Sequence, residues 1–177
     1  MTRAPFRTLS GRFYRTVTVD RIAQVLDPPG PTSAGRYHRL GQPALYTSPE
    51  PAWAIMATAG YMREDGRARV VIPLEISEAR VIDQHDEAVC AALGIDRDHS
   101  NLSWRVALTE GREPPSWRSA DLARAAGADG IIDRSRQIAG GWHLNLFRWN
   151  ELGGPKVEIV GDPMPVALTA DGPKWGL

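Results

Sequence analysis

Apolar residues recur every second position in some stretches of the chain and every third or fourth in others, and the change of period divides it into elements. Arg12–Thr18 is β-branched and aromatic, a strand with Phe13, Arg15 and Val17 on one face and Tyr14, Thr16 and Thr18 on the other. Residues 1–11 before it read as a flexible arm. A short helix is expected over Val19–Leu26, stopped by Asp27-Pro28-Pro29-Gly30-Pro31. Pro43–Thr47 reads as a strand leaving a turn at Gly41-Gln42-Pro43, and Ser48 with Pro49 is placed to start a helix over 50–61. After a turn at 63–67, Ala68–Ile76 reads as one or two strands, and Glu78–Ile82 continues the sheet. Glu87–Leu93 is an alanine-rich helix closed by Gly94. Ser116–Ala126 is a helix capped by Ser116 or Ser119 and ended at Gly127. Gly130–Asp133 is a short buried strand, Trp142–Trp149 an alternating one, and Val157–Val160 the last. Residues 95–118 are harder to read, since Trp104 and Trp117 call for burial while Pro114-Pro115 and several Gly and Ser residues break any regular element. Residues 161–177 read as a Pro/Gly-rich tail. Strands and helices that do not alternate predict an α+β domain over 12–160, with a mixed, mostly antiparallel sheet and flanking helices.

Composition narrows the classes. With 177 residues, 42% of them hydrophobic, the chain has material for one domain with a sizeable core. Basic and acidic residues balance at 21 each, so neither nucleic acid nor a membrane is an expected partner. Lys156 and Lys174 are the only lysines; the remaining cations are arginines, whose forks suit phosphates and carboxylates. Cys90 stands alone, which excludes an intramolecular disulfide and a multi-cysteine metal cluster. His38, His85, His99 and His143 lack ligand spacing, so no metal is expected. Met1–Arg7 has no apolar signal region, and cytoplasmic residence is the expectation.

The candidate chemistry centres on residues 35–50, where Arg36, Tyr37, His38, Arg39, Tyr46, Thr47, Ser48 and Glu50 lie between a Pro/Gly-rich run and a helix. Strand-end side chains and the first amides of a helix converge there, an arrangement that suits a phosphate or diphosphate. An ordinary strand-to-helix junction with solvated arginines is the alternative. Arg15, on an apolar strand face, needs a partner: a ligand phosphate or an internal carboxylate. Asp133-Arg134-Ser135-Arg136, at the end of a later strand, is a third polar group that the fold can bring in. His143 reads as a surface or satisfied histidine, and Tyr14 and Tyr61 as packing.

Four motifs in order resemble one family: Phe13-Tyr14-Arg15; Gly35-Arg36-Tyr37-His38 with Gly41 and Leu45-Tyr46-Thr47-Ser48; Ala126–Arg136; and Leu144-Asn145-Leu146-Phe147. Together they look like the RES domain, named for an arginine, a glutamate and a serine and found as the toxin of many Xre-RES toxin-antitoxin modules. The resemblance implies a fold similar to ADP-ribosyltransferase toxins, NAD as co-substrate, a cognate antitoxin and, where ADP-ribose is transferred, a host acceptor protein. It implies Arg36, Tyr46 and Ser135 as catalytic residues, and Arg15, Arg36, Tyr37, His38, Tyr46, Ser48 and Ser135 as NAD-binding ones. An arginine would clamp the diphosphate, Tyr37 or Tyr46 would stack on nicotinamide, and Ser135 would hold the ribose or carboxamide. The sequence departs from the family where a glutamate is expected, near Ala57, since no carboxylate lies between Glu50 and Glu64. Tyr37-His38 also replaces the usual Trp-Asn. Glu50, Glu110 or Asp133 is then the substitute carboxylate for the oxocarbenium-like step. Three activities follow as expectations: ADP-ribosylation of a host protein with release of nicotinamide, degradation of NAD, or binding of NAD or a partner without catalysis.

Overall fold

The computed structural model describes residues 5–176, and its spine is one long strand, β3 (Arg69–Asp83). Its run from Val70 to Leu74 is apolar and buried throughout, as suits a strand covered on both faces. Four other strands are registered on it directly. β1 (Arg7–Thr18) pairs antiparallel along nearly its whole length. β6 (Lys156–Ile159) and β7 (Met164–Thr169) add antiparallel ladders, and β4 (Gly130–Arg134) pairs in parallel with its last residues. β2 (Leu45–Thr47) and β5 (Trp142–Leu146) extend the sheet beyond β4, and β8 (Gly172–Trp175) closes a hairpin with β7. The parallel β3–β4 pair demands a crossover, and residues 84–129 supply it with three helices: α3 (Glu87–Leu93), α4 (Trp104–Thr109) and α5 (Pro115–Ala125). The expected α+β domain with a mixed, mostly antiparallel sheet is what forms.

Alternation along the strands divides the interior in two. Leu45, Ile132, Leu144 and Leu146 point into one core with Phe13 and Leu74, while Ile131 and Phe147 join Tyr37, Cys90 and the alanines of α5 in a second. A third cluster, Ala54, Ile55 and Val71, lies under α1 (Pro51–Ala57).

Several expectations are corrected. The arm over 1–11 is strand from Arg7 onward, because Arg7–Leu9 pair with Ala79–Val81 across a bulge at Gly11; residues 1–4 lie outside the described residues. The tail is also sheet: Met164, Val166 and Leu168 alternate toward the cluster beneath α1, an apolar stripe that the surrounding prolines mask in the sequence. The helix over 50–61 is two, α1 and α2 (Ala59–Asp65), broken at Thr58. It begins at Pro51, not Pro49, since Ser48 is still bound through both backbone groups to Tyr14, at 2.7 and 2.9 Å. Neither Ser48 nor Ser116 caps a helix; Pro114 precedes α5, and the Ser116 hydroxyl donates to the Arg36 carbonyl. Val19–Gln24 is a 3₁₀ helix, as is Arg97–Asn101 in the stretch left unassigned.

Gly130 shows how closely β4 and β5 approach: a Cβ there would lie 2.4 Å from the carbonyl oxygen of Asn145. Gly130→Ala is expected to lower stability by about 2–3 kcal/mol in urea unfolding, because backbone must move. Gly60→Ala, in α2 with nothing within 4 Å of the new methyl, should raise it by about 0.5–1 kcal/mol.

Candidate functional site

The face of β2, β5 and β4 opposite the first core carries polar residues. Two-residue periodicity puts Tyr46 and Ser48, His143 and Asn145, and Asp133 on that face, with Tyr46 opposite Asn145 and Asp133 opposite His143. They form the floor of a cavity of about 710 Å³, walled by β1, α1, α2, the segment 27–38 and the start of α4. That volume lies within the range of small-molecule sites.

The wall at 35–38 is held by a chain of hydrogen bonds. The Gly35 amide donates to the His38 carbonyl at 3.0 Å, folding the segment back on itself. Only glycine fits there: a Cβ would come within 2.4 Å of the His38 ring and 2.7 Å of the Tyr46 hydroxyl. The Tyr37 amide donates to Tyr46 Oη at 3.0 Å, and Tyr46 Oη lies 2.7 Å from His38 Nδ1. His38 Nε2 faces the Ser33 carbonyl at 3.1 Å, so the proton is on Nε2 and Nδ1 accepts from the tyrosine. Burial holds His38 below the ordinary histidine pKa and Tyr46 above the ordinary tyrosine value, and both stay neutral. At the floor, Asp133 is 2% exposed and accepts from Tyr37 Oη at 2.8 Å and Asn145 Nδ2 at 3.1 Å. Burial, with Asp133 beside it, pushes the Tyr37 hydroxyl well above its usual range and keeps it a donor.

The cations are less well matched. Arg15 donates one bond, Nη1 to the Tyr46 carbonyl at 3.3 Å, while its buried Nε has no partner among the described residues. Burial lowers its pKa to about 10. Arg36 donates to the carbonyls of Ser100 at 2.8 Å and Leu102 at 3.0 Å, and Arg136 converges on the same Ser100 oxygen. Burial and that neighbouring guanidinium bring Arg36 to about 10 as well. Arg15, Arg21, Arg36, Arg105 and Arg136 border the cavity against Asp27 and Asp133, so its field is positive in a chain without net charge.

Arg15, Arg36, Tyr37, His38, Tyr46, Ser48 and Asp133 thus come together as candidates. Ser135 does not: the chain turns away after Arg134, and the Ser135 hydroxyl accepts from the amides of Gln137 and Ile138 at 3.2 and 3.1 Å. Glu50 is exposed and off the cavity wall, and Glu110 is paired with Arg112 on the surface. Tyr37, 1% exposed and packed in the second core, has no open ring face for nicotinamide. Ala57 lines the cavity, presenting a methyl where the resemblance calls for a carboxylate. Tyr14 and Tyr61, read as packing, also line it, and Arg105 stacks on the Tyr61 ring at 4.0 Å. His143, read as a surface or satisfied histidine, has its Nδ1 2.7 Å from Ser48 Oγ and also lines the cavity, a placement the sequence reading did not assign to it. Its parity with Asn145, polar on an otherwise apolar strand, was the available signal.

A family model described as the RES domain matches residues 6–169. No curated protein matches the sequence. Among solved structures, the chain is similar to one in the crystal structure of the M. tuberculosis MbcT-MbcA toxin-antitoxin complex, with a TM-score of 0.61 and 14% identity over 86% of this chain and 84% of that one. At that identity the likeness concerns the fold.

Tyr37→Phe removes a donor from the buried Asp133 carboxylate and is expected to lower stability by about 1–3 kcal/mol in chemical denaturation. His38 and His143 are both held below the ordinary 6.5 by burial, so the unfolded chain takes up their protons first. Their contribution to stability is complete above pH 6.5 and is lost as the pH falls toward the folded values. Urea midpoints at pH 7.5 and 5.5 should therefore differ more for the wild type than for the His38→Gln, His143→Gln double variant.

Proposed function

The chain belongs to the RES domain family, and we propose that it is the toxin of a toxin-antitoxin pair and consumes NAD in the cavity over β2, β5 and β4. The observation that carries this reading is Arg15: a half-buried side chain whose Nε is buried and, among the described residues, has neither a hydrogen-bond partner nor an acidic one, at the wall of a cavity with an excess of cations. A cation desolvated to that degree favours an anionic ligand that fills its remaining donors. The diphosphate of NAD supplies the charge, and a guanidinium fork binds it in bidentate fashion. Tyr46 orients the wall through its bonds to Tyr37 and His38.

Cleavage of the nicotinamide–ribose bond sends its electron pair to the ring nitrogen, and neutral nicotinamide departs from an oxocarbenium-like sugar. Asp133 is the carboxylate at the cavity floor and takes the electrostatic role expected of the missing glutamate. The oxygens that accept from Tyr37 and Asn145 do not move when charge develops, so little reorganisation accompanies the step. We assign ADP-ribose transfer to a nucleophile of a host protein as the activity. The wall offers only Ala57 where a glutamate would activate water, and an acceptor positioned on a partner compensates for that lack. Degradation of NAD is the second reading. It draws on Arg36 and Arg136, whose convergence on one carbonyl leaves a positive corner suited to a small anionic acceptor such as inorganic phosphate. The neighbouring fold occurs with an antitoxin in its crystal, and a cognate antitoxin is the partner we propose for this chain as well.

Mass spectrometry of protein incubated with NAD, with and without host-cell extract, tests the reading. ADP-ribose on a discrete extract protein is the expected outcome, and NAD loss without such a label would select degradation. Arg15→Met, which keeps the stem but not the fork, should weaken NAD binding at least about tenfold by calorimetry, the scale of a lost charge-assisted bond. Ala57→Glu should increase NAD hydrolysis by supplying a carboxylate at the wall. Unaltered NAD in every sample, with no binding, would end the proposal.

A further inference from the structure

His143 has no part in the scheme above, yet its surroundings are those of a working imidazole. Ser48 Oγ lies 2.7 Å from Nδ1. Ser48 is 2% exposed, and its amide and carbonyl are both bound to Tyr14, so its hydroxyl occupies a fixed place. That bond sets the ring plane and leaves Nε2 on the far side, where it has no partner among the described residues, in a side chain that borders the cavity. Facing the ring are Asp133 from β4, Arg136 from the turn after it, Arg36 from the 35–38 fold-back and the hydroxyl of Ser48.

Resting on the NAD-consuming reading, we propose that His143 is the general base that activates the acceptor, with Ser48 the positioning residue that orients it. In the active tautomer Nδ1–H donates to Ser48 Oγ and the lone pair is on Nε2. As the acceptor's oxygen or nitrogen forms its bond to the anomeric carbon of the ribose, Nε2 takes the proton from that atom. The bond to nicotinamide breaks with its electron pair going to the ring nitrogen. The imidazolium is stabilised by Asp133, paired across the β4–β5 ladder on the same face, and later returns the proton to solvent. Burial and the two arginines hold the imidazole neutral at physiological pH, and so able to accept the proton.

The test compares wild type, His143→Gln and Ser48→Ala in NAD binding by calorimetry and in product formation between pH 5 and 9. Wild-type turnover should fall along an acid limb with a midpoint below the ordinary 6.5, since the base is lost on protonation. His143→Gln should bind NAD within about threefold of wild type, which also shows that it folds. Its turnover should be lower by about a hundredfold or more, with the acid limb gone. Ser48→Ala should show a smaller loss with the limb retained. Nitrogen NMR of labelled histidine should find Nε2 unprotonated in the neutral ring. Wild-type turnover in His143→Gln, or a proton on Nε2, would overturn the base while leaving NAD consumption intact. A wild type that neither binds nor consumes NAD would remove both.

Discussion

The hydrogen bond from Tyr37 to Asp133 is the contact on which the site depends. A carboxylate at 2% exposure is tolerated only with its oxygens satisfied, and the donors come from two separate parts of the chain, Tyr37 and Asn145. Satisfying it draws residues 35–38 onto the end of β4. The fold-back at Gly35, the seat of His38 against Tyr46 and the direction of Arg36 toward the carbonyls at 100 and 102 all follow from that anchor. The same residue that closes the floor of the cavity thereby fixes its wall.

Charge is segregated as well as balanced. Outside the cavity, arginines meet carboxylates in ion pairs: Arg69 with Asp65, Arg67 with Asp20, Arg39 with Asp121 and Glu113. Asp65 is held well below the usual carboxylate range by the Arg69 fork. Inside the cavity Arg15 and Arg36 face carbonyls, and Arg36 and Arg136 crowd one oxygen, with only a long contact of 3.8 Å from Arg136 to Asp133. Equal numbers of acids and bases therefore coexist with a strongly directional field, and net charge alone describes neither surface.

Much of this was legible in the sequence where a residue's role is local. The short buried run Gly130–Asp133 and the alternation from Trp142 mark two strands, although the second ends at Leu146 and not at Trp149, Gly94 ends α3, and much of the polar run at 35–50 lies on the cavity wall. What could not be read is long-range pairing. Ser48 reads as a helix cap because capping is a local preference, but β1 claims its backbone and His143 its side chain. Ser135 follows Asp133 by two and shares its parity, and only the turn after Arg134 removes it from the wall. The choice of Asp133 over Glu50 likewise turns on register: Glu50 is nearer Tyr46 in sequence, whereas Asp133 reaches the floor through β5.

The order of strands has a consequence for the chain during its synthesis. The floor needs β5, which ends at Leu146, and the wall opposite needs α4, carried in the crossover between β3 and β4. Neither can be assembled from the N-terminal half. A nascent or truncated chain ending before β5 holds Arg15, Arg36 and Tyr46 but has no Asn145 beneath Asp133 and no His143 beside Ser48. The cavity is thus a late product of translation, formed only after β5 and the crossover before it have left the ribosome.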